Sequence, residues 1–232
     1  MNNELYRSQE PQKKYGALPI IIKTNVEVDS DEMMFYQDMP VKLAGISPQW
    51  VKVEERLKPF ISLILDCMDD FVTTVLGGDE VAFNDYNVYL SAKRLFISPT
   101  SNYNRPGWHS DGFMSEDVNY VWSDSAPTIF NNSEFTLTQD HYISIDEMNQ
   151  QADPENNITF PVNTLLRMDQ YVIHKVNDEV QEQGIRTFVK VTISKNKYDL
   201  KGNTHNYEIP YFWAMRERNA YRNVPQHVKS EE

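Results

Sequence analysis

The stretch Arg105-Pro-Gly-Trp-His-Ser-Asp-Gly-Phe113 sets the fold that we expect, because it places a histidine and a carboxylate two residues apart among turn-forming residues. Proline and glycine bend the chain and let backbone approach a ligand. A second histidine, His174, follows His109 after 65 residues, and Arg186 comes 12 residues later. Two imidazoles and one carboxylate can hold Fe(II) on one face and leave its other coordination positions open. The spacing therefore predicts a metal site formed by His109, Asp111 and His174.

The expected strands around the distal residues support this prediction. His174 ends an extended pattern at residues 168–174, and Arg186 begins another at residues 186–193. The guanidinium of an arginine is planar, forked and permanently charged, so it pairs with a carboxylate at little orientational cost. Arg186 is therefore the candidate for binding the carboxylate of a 2-oxoacid.

Each of these residues taken alone has a commoner structural role. His109 and Asp111-Gly112 fit an ordinary turn, and His174 fits a core histidine. His141 is a further candidate ligand, but no carboxylate lies at a matching spacing, so a polar strand position is the better interpretation. The metal-site prediction depends on the ordered set and not on any single member.

The composition limits the classes of protein. With 232 residues, 40% of them hydrophobic, the sequence predicts one globular domain over residues 1–232, with residues 1–16 loose. The net charge of −12 repels a phosphate backbone, so non-specific nucleic-acid binding is not expected. Cys67 is the only cysteine, which fits a reducing, cytoplasmic location. No apolar run approaches the ~20 residues that span a bilayer, so no membrane segment is expected.

Hydrophobic spacing predicts one helix followed by many short strands. Ser47-Pro48 is typical of a helix start, apolar positions recur at helical spacing up to Leu76, and Gly77-Gly78 ends the helix. Strands are expected at residues 18–23, 86–97, 118–122, 127–130, 135–137, 141–145, 164–168, 171–174 and 187–194. Residues 146–157 indicate a loop, and residues 207–213 either a strand or a covering segment. The pattern predicts an α+β, β-rich fold whose two facing sheets form a jelly roll.

At His109, Asp111, His174 and Arg186 the chain resembles the Fe(II)/2-oxoglutarate-dependent dioxygenase superfamily. The resemblance covers roughly residues 86–194, with the upstream helix in the place of a helix that buttresses the barrel of that superfamily. It implies a double-stranded β-helix, iron held by the two histidines and the aspartate, and 2-oxoglutarate held by the arginine. Dioxygen would be the second co-substrate, and hydroxylation of a substrate the outcome.

The chain departs from the superfamily pattern on the strand of the clamp arginine. Many members carry a serine two residues after that arginine, and here the position is Phe188. The next polar residue on the same strand face is Lys190. A hydroxyl partner for the co-substrate must then come from elsewhere, and Tyr103, Tyr120 and Tyr89 are the candidates.

Four aromatic residues surround the metal-site motif in the sequence: Trp108, Phe113, Tyr120 and Trp122. They are candidates for an aromatic wall that stacks on a planar substrate such as a nucleobase, an interaction worth ~1–3 kcal/mol per base. Packing in the core of the barrel is the commoner role for such residues. The sequence leaves both interpretations open.

Three functions remain compatible with the motif. The first is an iron- and 2-oxoglutarate-dependent oxygenase that hydroxylates a small-molecule or nucleotide-like substrate. The second is an oxygenase of the same superfamily that acts on a protein or peptide side chain. The third is a non-catalytic jelly-roll binding module. The sequence favours the metal site over the third function, does not separate the first two, and allows a monomer or a homodimer.

Overall fold

Within the residues that the computed structural model describes, 14–45, 51–99, 107–178 and 180–218, nine strands form two antiparallel sheets. The strands are β1 Ile20–Lys23, β2 Met34–Lys42, β3 Asn87–Ile97, β4 Val118–Ser123, β5 Ile129–Asn131, β6 Asn157–Thr159, β7 Leu165–Met168, β8 His174–Lys175 and β9 Gly184–Ser194. The large sheet has the order β1-β7-β4-β9-β3-β2, and the small sheet has the order β6-β5-β8. The predicted β-rich fold of antiparallel sheets is confirmed.

The chain passes back and forth between the two sheets from β3 onward. After β3 in the large sheet, His109 pairs with His174 beside the small sheet, and the chain then enters β4 in the large sheet. Strands β5 and β6 belong to the small sheet, β7 to the large, β8 to the small and β9 to the large. This alternation brings residues that are far apart in the sequence to neighbouring positions in each sheet.

Strand β9 shows how the alternating pattern divides the interior. Val189, Val191 and Ile193 pack into the core that the large sheet shares with the preceding helix. Phe188 points to the other face, where it packs with side chains of both sheets. Successive side chains of a strand point to opposite faces, so Arg186 and Lys190 lie on the same face as Phe188, between the sheets.

The predicted helix is present but begins later than expected. Ser47 and Pro48 lie outside the described residues, and residues 51–54 are not helical. The helical segment consists of a 3-10 turn at Glu55–Phe60, helix α1 at Ile61–Asp70 and a π-helical turn at Phe71–Val75. Its apolar face, which includes Leu63, Ile64 and Cys67, is buried on the large sheet. Gly77, in the left-handed region at φ 61°, follows its end as predicted.

The segment after β5 corrects the sequence prediction. Residues 135–137 and 141–145, predicted as strands, form none. Residues 146–157, predicted as a loop, contain most of helix α2, which spans Ile143–Gln151, together with a 3-10 turn at Pro154–Asn156 and the start of β6. The carboxylate of Asp140 accepts hydrogen bonds from the backbone N–H of Tyr142 and of Ile143, which satisfies donors at the start of α2.

Two further differences concern the edges of the fold. Strand β2 was not predicted, because Pro40 interrupts its sequence pattern; the strand is an edge strand with register shifts, where proline is tolerated. Residues 207–213 form no strand.

Among the described residues, no helix is both long and apolar enough to cross a bilayer.

Candidate metal centre

The structure brings His109, Asp111 and His174 together. One potential ligand atom from each side chain lies within 4.8 Å of the others, and Nε2 of His174 is 3.8 Å from Oδ2 of Asp111. The centroids of the two imidazole rings are 4.5 Å apart. Two nitrogen ligands and one carboxylate thus share one side of a small space, which is the donor set of a facial triad.

Backbone pairing creates this arrangement. The N–H of His109 donates to the carbonyl of His174 at 3.0 Å, and the N–H of His174 donates to the carbonyl of His109 at 2.9 Å. Residues that exchange both hydrogen bonds across antiparallel segments present their side chains on the same face. The two histidines therefore face the same space although 65 residues separate them in the chain.

The second nitrogen of each histidine is directed to a backbone carbonyl. Nδ1 of His109 lies 3.0 Å from the carbonyl oxygen of Gly107, and Nδ1 of His174 lies 3.2 Å from that of Val172. A carbonyl only accepts, so each Nδ1 carries the proton in the neutral ring. The Nε2 atoms then keep their lone pairs for a metal ion, and the carbonyls fix the orientation of both rings.

A neighbouring ammonium group keeps the carboxyl group of Asp111 ionised. Burial by itself would raise its pKa, but the positive charge of Lys190, with smaller contributions from the neighbouring His174 and His109, outweighs burial and holds the pKa well below its usual value. Nζ of Lys190 lies 3.1 Å from Oδ2 of Asp111. Burial would lower the pKa of Lys190, and the carboxylates of Asp111 and Asp38 raise it instead. Both members of the pair are therefore charged at neutral pH.

Arg186 is a buried cation whose charge is not paired with a carboxylate of the described residues. Its side chain is on the inner face of β9, and the residue is 5% exposed. Its Nε donates to the carbonyl of Ser125 at 3.1 Å, and its guanidinium lies 4.9 Å from the ring centroid of Phe188. Burial lowers its pKa to about 10, against the opposing charge of Asp124, so it stays protonated at neutral pH. A buried cation of this kind favours an anionic ligand.

The structure does not bring Tyr120 and Trp122 to the metal centre, and the sequence interpretation of both is corrected. They lie on the outer face of β4, in the core with α1. The hydroxyl of Tyr120 donates to Oδ2 of Asp70 at 2.8 Å, and the indole N–H of Trp122 donates to the carbonyl of Val26 at 3.0 Å. Neither side chain is available to a ligand between the sheets.

The remaining two aromatic residues of the expected wall, Trp108 and Phe113, are core residues. They are 9% and 5% exposed and share a buried cluster with Met148 of α2. His141 touches the edge of Phe113 at a centroid distance of 5.9 Å and is not part of the metal-ligand group. An aromatic wall open to a planar substrate is therefore not formed by these side chains.

Tyr103 and Tyr89 were the other two candidates for a hydroxyl group that contacts the co-substrate. Tyr103 lies outside the described residues. The hydroxyl of Tyr89 donates to the carbonyl of Asn196 at 2.8 Å, and its ring stacks on Tyr198 at 4.3 Å. Because its hydroxyl proton is already donated to the backbone, Tyr89 is a poor partner for a co-substrate.

Asn119 is a residue between the sheets that the sequence analysis did not single out. It lies on β4, on the face opposite to Tyr120, and is 1% exposed. Its Oδ1 accepts a hydrogen bond from the hydroxyl of Thr192 at 2.6 Å, while its Nδ2 has no hydrogen-bond partner among the described residues. Buried donors are normally satisfied, so this amide is a candidate to donate to a bound ligand. Strand alternation separates Asn119 from Tyr120, but both faces of β4 are buried, so the sequence did not indicate which face meets a ligand.

Six solved chains are similar in structure to this protein. No protein-family model and no curated protein sequence matches the chain. EvdO2 from Micromonospora carbonacea var. aurantiaca, solved in complex with 2-oxoglutarate, is 14% identical with a TM-score of 0.38, covering 61% of this chain and 66% of that one. An oxidoreductase of the 2OG-Fe(II) oxygenase family from Burkholderia pseudomallei is 17% identical with a TM-score of 0.34, covering 83% and 76%. A bsmA homologue from Methylobium petroleophilum is 18% identical with a TM-score of 0.32, covering 72% and 65%.

One similar structure holds 2-oxoglutarate, and another belongs to the 2OG-Fe(II) oxygenase family. The chain spans about two thirds of the length of the first and third structures. All three TM-scores lie below 0.5, so the proposed function rests on the geometry of the site itself.

Proposed function

We propose that this chain is an Fe(II)- and 2-oxoglutarate-dependent oxygenase that hydroxylates a small molecule. One observation carries the proposal: one ring nitrogen of each histidine and one carboxylate converge, and the buried guanidinium of Arg186, which pairs with no carboxylate of the described residues, lies on the same side of the large sheet. The donor set fits iron, because two neutral imidazoles and one carboxylate fill only three of six positions. The cation fits a dianionic 2-oxoacid, because a buried charge requires an opposite charge.

In this proposal His109, Asp111 and His174 hold the iron. When bound, the iron supplies the oxidative chemistry that uses dioxygen and 2-oxoglutarate to hydroxylate the substrate. The chain contributes orientation: the carbonyls of Gly107 and Val172 hold the Nδ1 protons of the two histidines, so that both Nε2 lone pairs face the ion. Fixed ligands leave less reorganisation for the moment of binding.

Arg186 binds the distal carboxylate of 2-oxoglutarate in this proposal. Its Nε donates to the carbonyl of Ser125, and its guanidinium plane packs on the ring of Phe188. Its two terminal nitrogens can then donate together to one carboxylate. Phe188 thus takes the place of the usual serine and contributes packing instead of a hydroxyl. The side-chain amide of Asn119, whose Nδ2 has no partner in the part of the chain that the structure describes, is an additional donor.

We also propose a jelly-roll, double-stranded β-helix arrangement for this catalytic domain. The regular passage of β3 to β9 between the large and the small sheet supports it, as does the His109–His174 pairing at the edge of the small sheet. A jelly roll of two facing sheets presents a metal site at its mouth. The single buried cysteine, Cys67, is consistent with a cytoplasmic enzyme.

The nucleotide-like substrate is the less favoured part of the sequence interpretation. Its support was the aromatic wall, and the described members of that wall are buried in the core. A small molecule held by polar groups is consistent with the interior between the sheets, where Asn119 and Lys190 lie.

The decisive test is an anaerobic titration of Fe(II) and 2-oxoglutarate, followed by the weak visible charge-transfer band of a 2-oxoacid chelated to iron. We expect the band in the wild-type protein and its loss in His174→Ala, with His205→Ala as the matched control because His205 is exposed. Circular dichroism verifies that each variant is folded. A folded wild-type protein that retains no iron and shows no band would refute the proposed function and leave a binding module.

A further inference from the structure

We propose that Lys190 is an internal counter-ion that occupies Asp111 in the metal-free protein and competes with the metal ion for it. The proposal rests on the proposed function, because the ion in question is the one that His109, Asp111 and His174 would hold. Lys190 is neither a metal ligand nor the arginine that binds the co-substrate. Its role would be to tune how tightly the site binds its metal.

The geometry of one oxygen atom carries the proposal. Oδ2 of Asp111 lies 3.1 Å from Nζ of Lys190 and 3.8 Å from Nε2 of His174. Nε2 of His174 is one of the nitrogens that could bind the metal, so Oδ2 is the carboxylate oxygen beside the proposed metal position. The oxygen that faces the metal position is therefore the oxygen that already accepts a hydrogen bond from the ammonium group.

The ammonium group cannot leave the interior when a metal ion arrives. Lys190 lies on β9 between Val189 and Val191, which are both buried in the core, and its side chain is only 17% exposed. A displaced ammonium group therefore stays close to the metal ion and repels it. Between charges in a partly buried site this repulsion is much stronger than in water.

A second carboxylate is available to receive the displaced ammonium group. Ser91 lies directly opposite Lys190 in the pairing of β3 with β9, and its hydroxyl donates to Oδ1 of Asp38 at 3.1 Å. Asp38 is 9% exposed and is one of the carboxylates that act on the charge of Lys190. Metal binding is then an exchange in which Lys190 passes from Asp111 towards Asp38.

The exchange explains how the metal-free site is stable. A buried carboxylate without a partner is strongly destabilising, and Lys190 prevents this at Asp111. It also makes the site selective, because only an ion that interacts more strongly than an ammonium group takes Asp111 away from it. Removing the positive charge of Lys190 should therefore strengthen metal binding, although it removes a contact of a metal ligand.

The test measures Mn(II) binding by isothermal titration calorimetry, with Mn(II) as an oxygen-insensitive probe of the site. We expect Lys190→Met to bind Mn(II) about tenfold more tightly than the wild-type protein, because the competing charge is gone. Lys190→Arg keeps the charge and should stay within about threefold of the wild type. Lys195→Met removes the same charge just beyond the end of β9, where it is exposed, and should have no such effect.

Each outcome decides the proposal. Lys190→Met binding Mn(II) no more tightly than the wild type would overturn the role of Lys190 and leave the proposed function standing. Absence of Mn(II) binding in all the folded proteins would overturn the metal site together with the role of Lys190. Should Lys190→Met fail to fold without metal, Lys190→Gln keeps a hydrogen-bond donor without the charge, and tighter Mn(II) binding is again the expected result.

Discussion

The side chain of Asn149 forms hydrogen bonds with both the backbone N–H and the backbone carbonyl of Trp108. Its Oδ1 accepts a hydrogen bond from the N–H of Trp108 at 2.9 Å, and its Nδ2 donates to the carbonyl of Trp108 at 3.3 Å and to that of Ile145 at 2.7 Å. Asn149 thus ties α2 to the residue that precedes His109. The contact also requires glycine at position 107, because a Cβ on Gly107 would lie only 2.8 Å from Oδ1 of Asn149. Helix α2 therefore positions the segment that carries His109, the proposed metal ligand, although α2 supplies no member of the triad itself.

Replacing Asn149 by alanine should weaken metal binding. The variant loses both hydrogen bonds to Trp108, so the segment that carries His109 becomes less fixed. Groups that orient metal ligands affect affinity by about 10–100-fold, and we expect the lower end of this range because the effect is indirect. Gln151→Ala is the matched control, since Gln151 lies on the same helix and bonds to Thr136 instead. Equal Mn(II) affinities of Asn149→Ala and wild type, measured by calorimetry, would contradict the positioning role.

Arg186→Gln should separate co-substrate binding from metal binding. The substitution removes the buried positive charge and the fork but does not touch the three metal ligands. Hydrogen bonds to charged groups contribute about 1.5–3 kcal/mol each, so 2-oxoglutarate affinity should fall by about 10–100-fold. The measurement is a titration of 2-oxoglutarate into Mn(II)-loaded protein.

Two comparisons make the Arg186 result interpretable. Arg56→Gln removes an exposed arginine that pairs with Glu32, and it should bind 2-oxoglutarate like the wild-type protein. Mn(II) affinity should be the same in all three proteins. Unchanged 2-oxoglutarate affinity in Arg186→Gln would mean that another group, such as the amide of Asn119, holds the distal carboxylate.

Strand β4 shows why the three residues of the candidate metal centre could be picked out from the sequence while their surroundings could not. His109, Asp111 and His174 are defined by residue type and order, which the sequence gives directly. The alternation in β4 places Tyr120 and Trp122 on one face and Asn119 on the other, but all three residues are buried. Period two separates the faces of a strand, and it does not tell which face meets the ligand when both are covered.

Helix α2 was missed for a different physical reason. Residues 143–151 are mostly polar and show no strong apolar stripe, so periodicity does not indicate a helix. The carboxylate of Asp140 accepts a hydrogen bond at the start of the helix, and Asn149 joins the helix to Trp108, next to His109. The Asp140 contact is local, but the contact of Asn149 with Trp108 joins distant parts of the chain. That contact depends on the tertiary fold, as does the pairing of His109 with His174, so a single sequence does not reveal either of them.

Tyr120→Phe tests the corrected placement of this residue. If its hydroxyl served the co-substrate, the variant would lose 2-oxoglutarate affinity. Because the hydroxyl donates to Asp70 on the far side of the sheet, we expect unchanged 2-oxoglutarate binding and a loss of about 1 kcal/mol in the free energy of unfolding. Tyr207→Phe, at a residue that is 82% exposed, should change neither quantity. Weaker 2-oxoglutarate binding in Tyr120→Phe would reinstate the sequence interpretation.

Lys42 should make stability depend on pH in the alkaline range. The residue is fully buried, and its ammonium group donates to the carbonyls of Leu43, Phe83 and Tyr86. Burial lowers its pKa to about 8, against the opposing charge of Asp85, whereas an unfolded lysine has a pKa of about 10.4. Between these values the unfolded chain binds more protons than the folded one. The contribution of Lys42 to the free energy of unfolding therefore rises as the pH increases from about 8 to about 10.

Urea unfolding of the wild-type protein and of Lys42→Met at pH 7, 8, 9 and 10 isolates this contribution. Tyrosines and other lysines titrate in both proteins, so only the difference between the two unfolding free energies reports on Lys42. We expect that difference to shift in favour of the wild type as the pH rises, because neutral Lys42 no longer carries the cost of a buried charge. Lys23→Met, which removes a half-exposed lysine paired with Asp66, should show no comparable trend. A wild-type minus Lys42→Met difference that is constant from pH 7 to pH 10 would mean that three carbonyl contacts suffice to keep the buried ammonium group at its ordinary pKa.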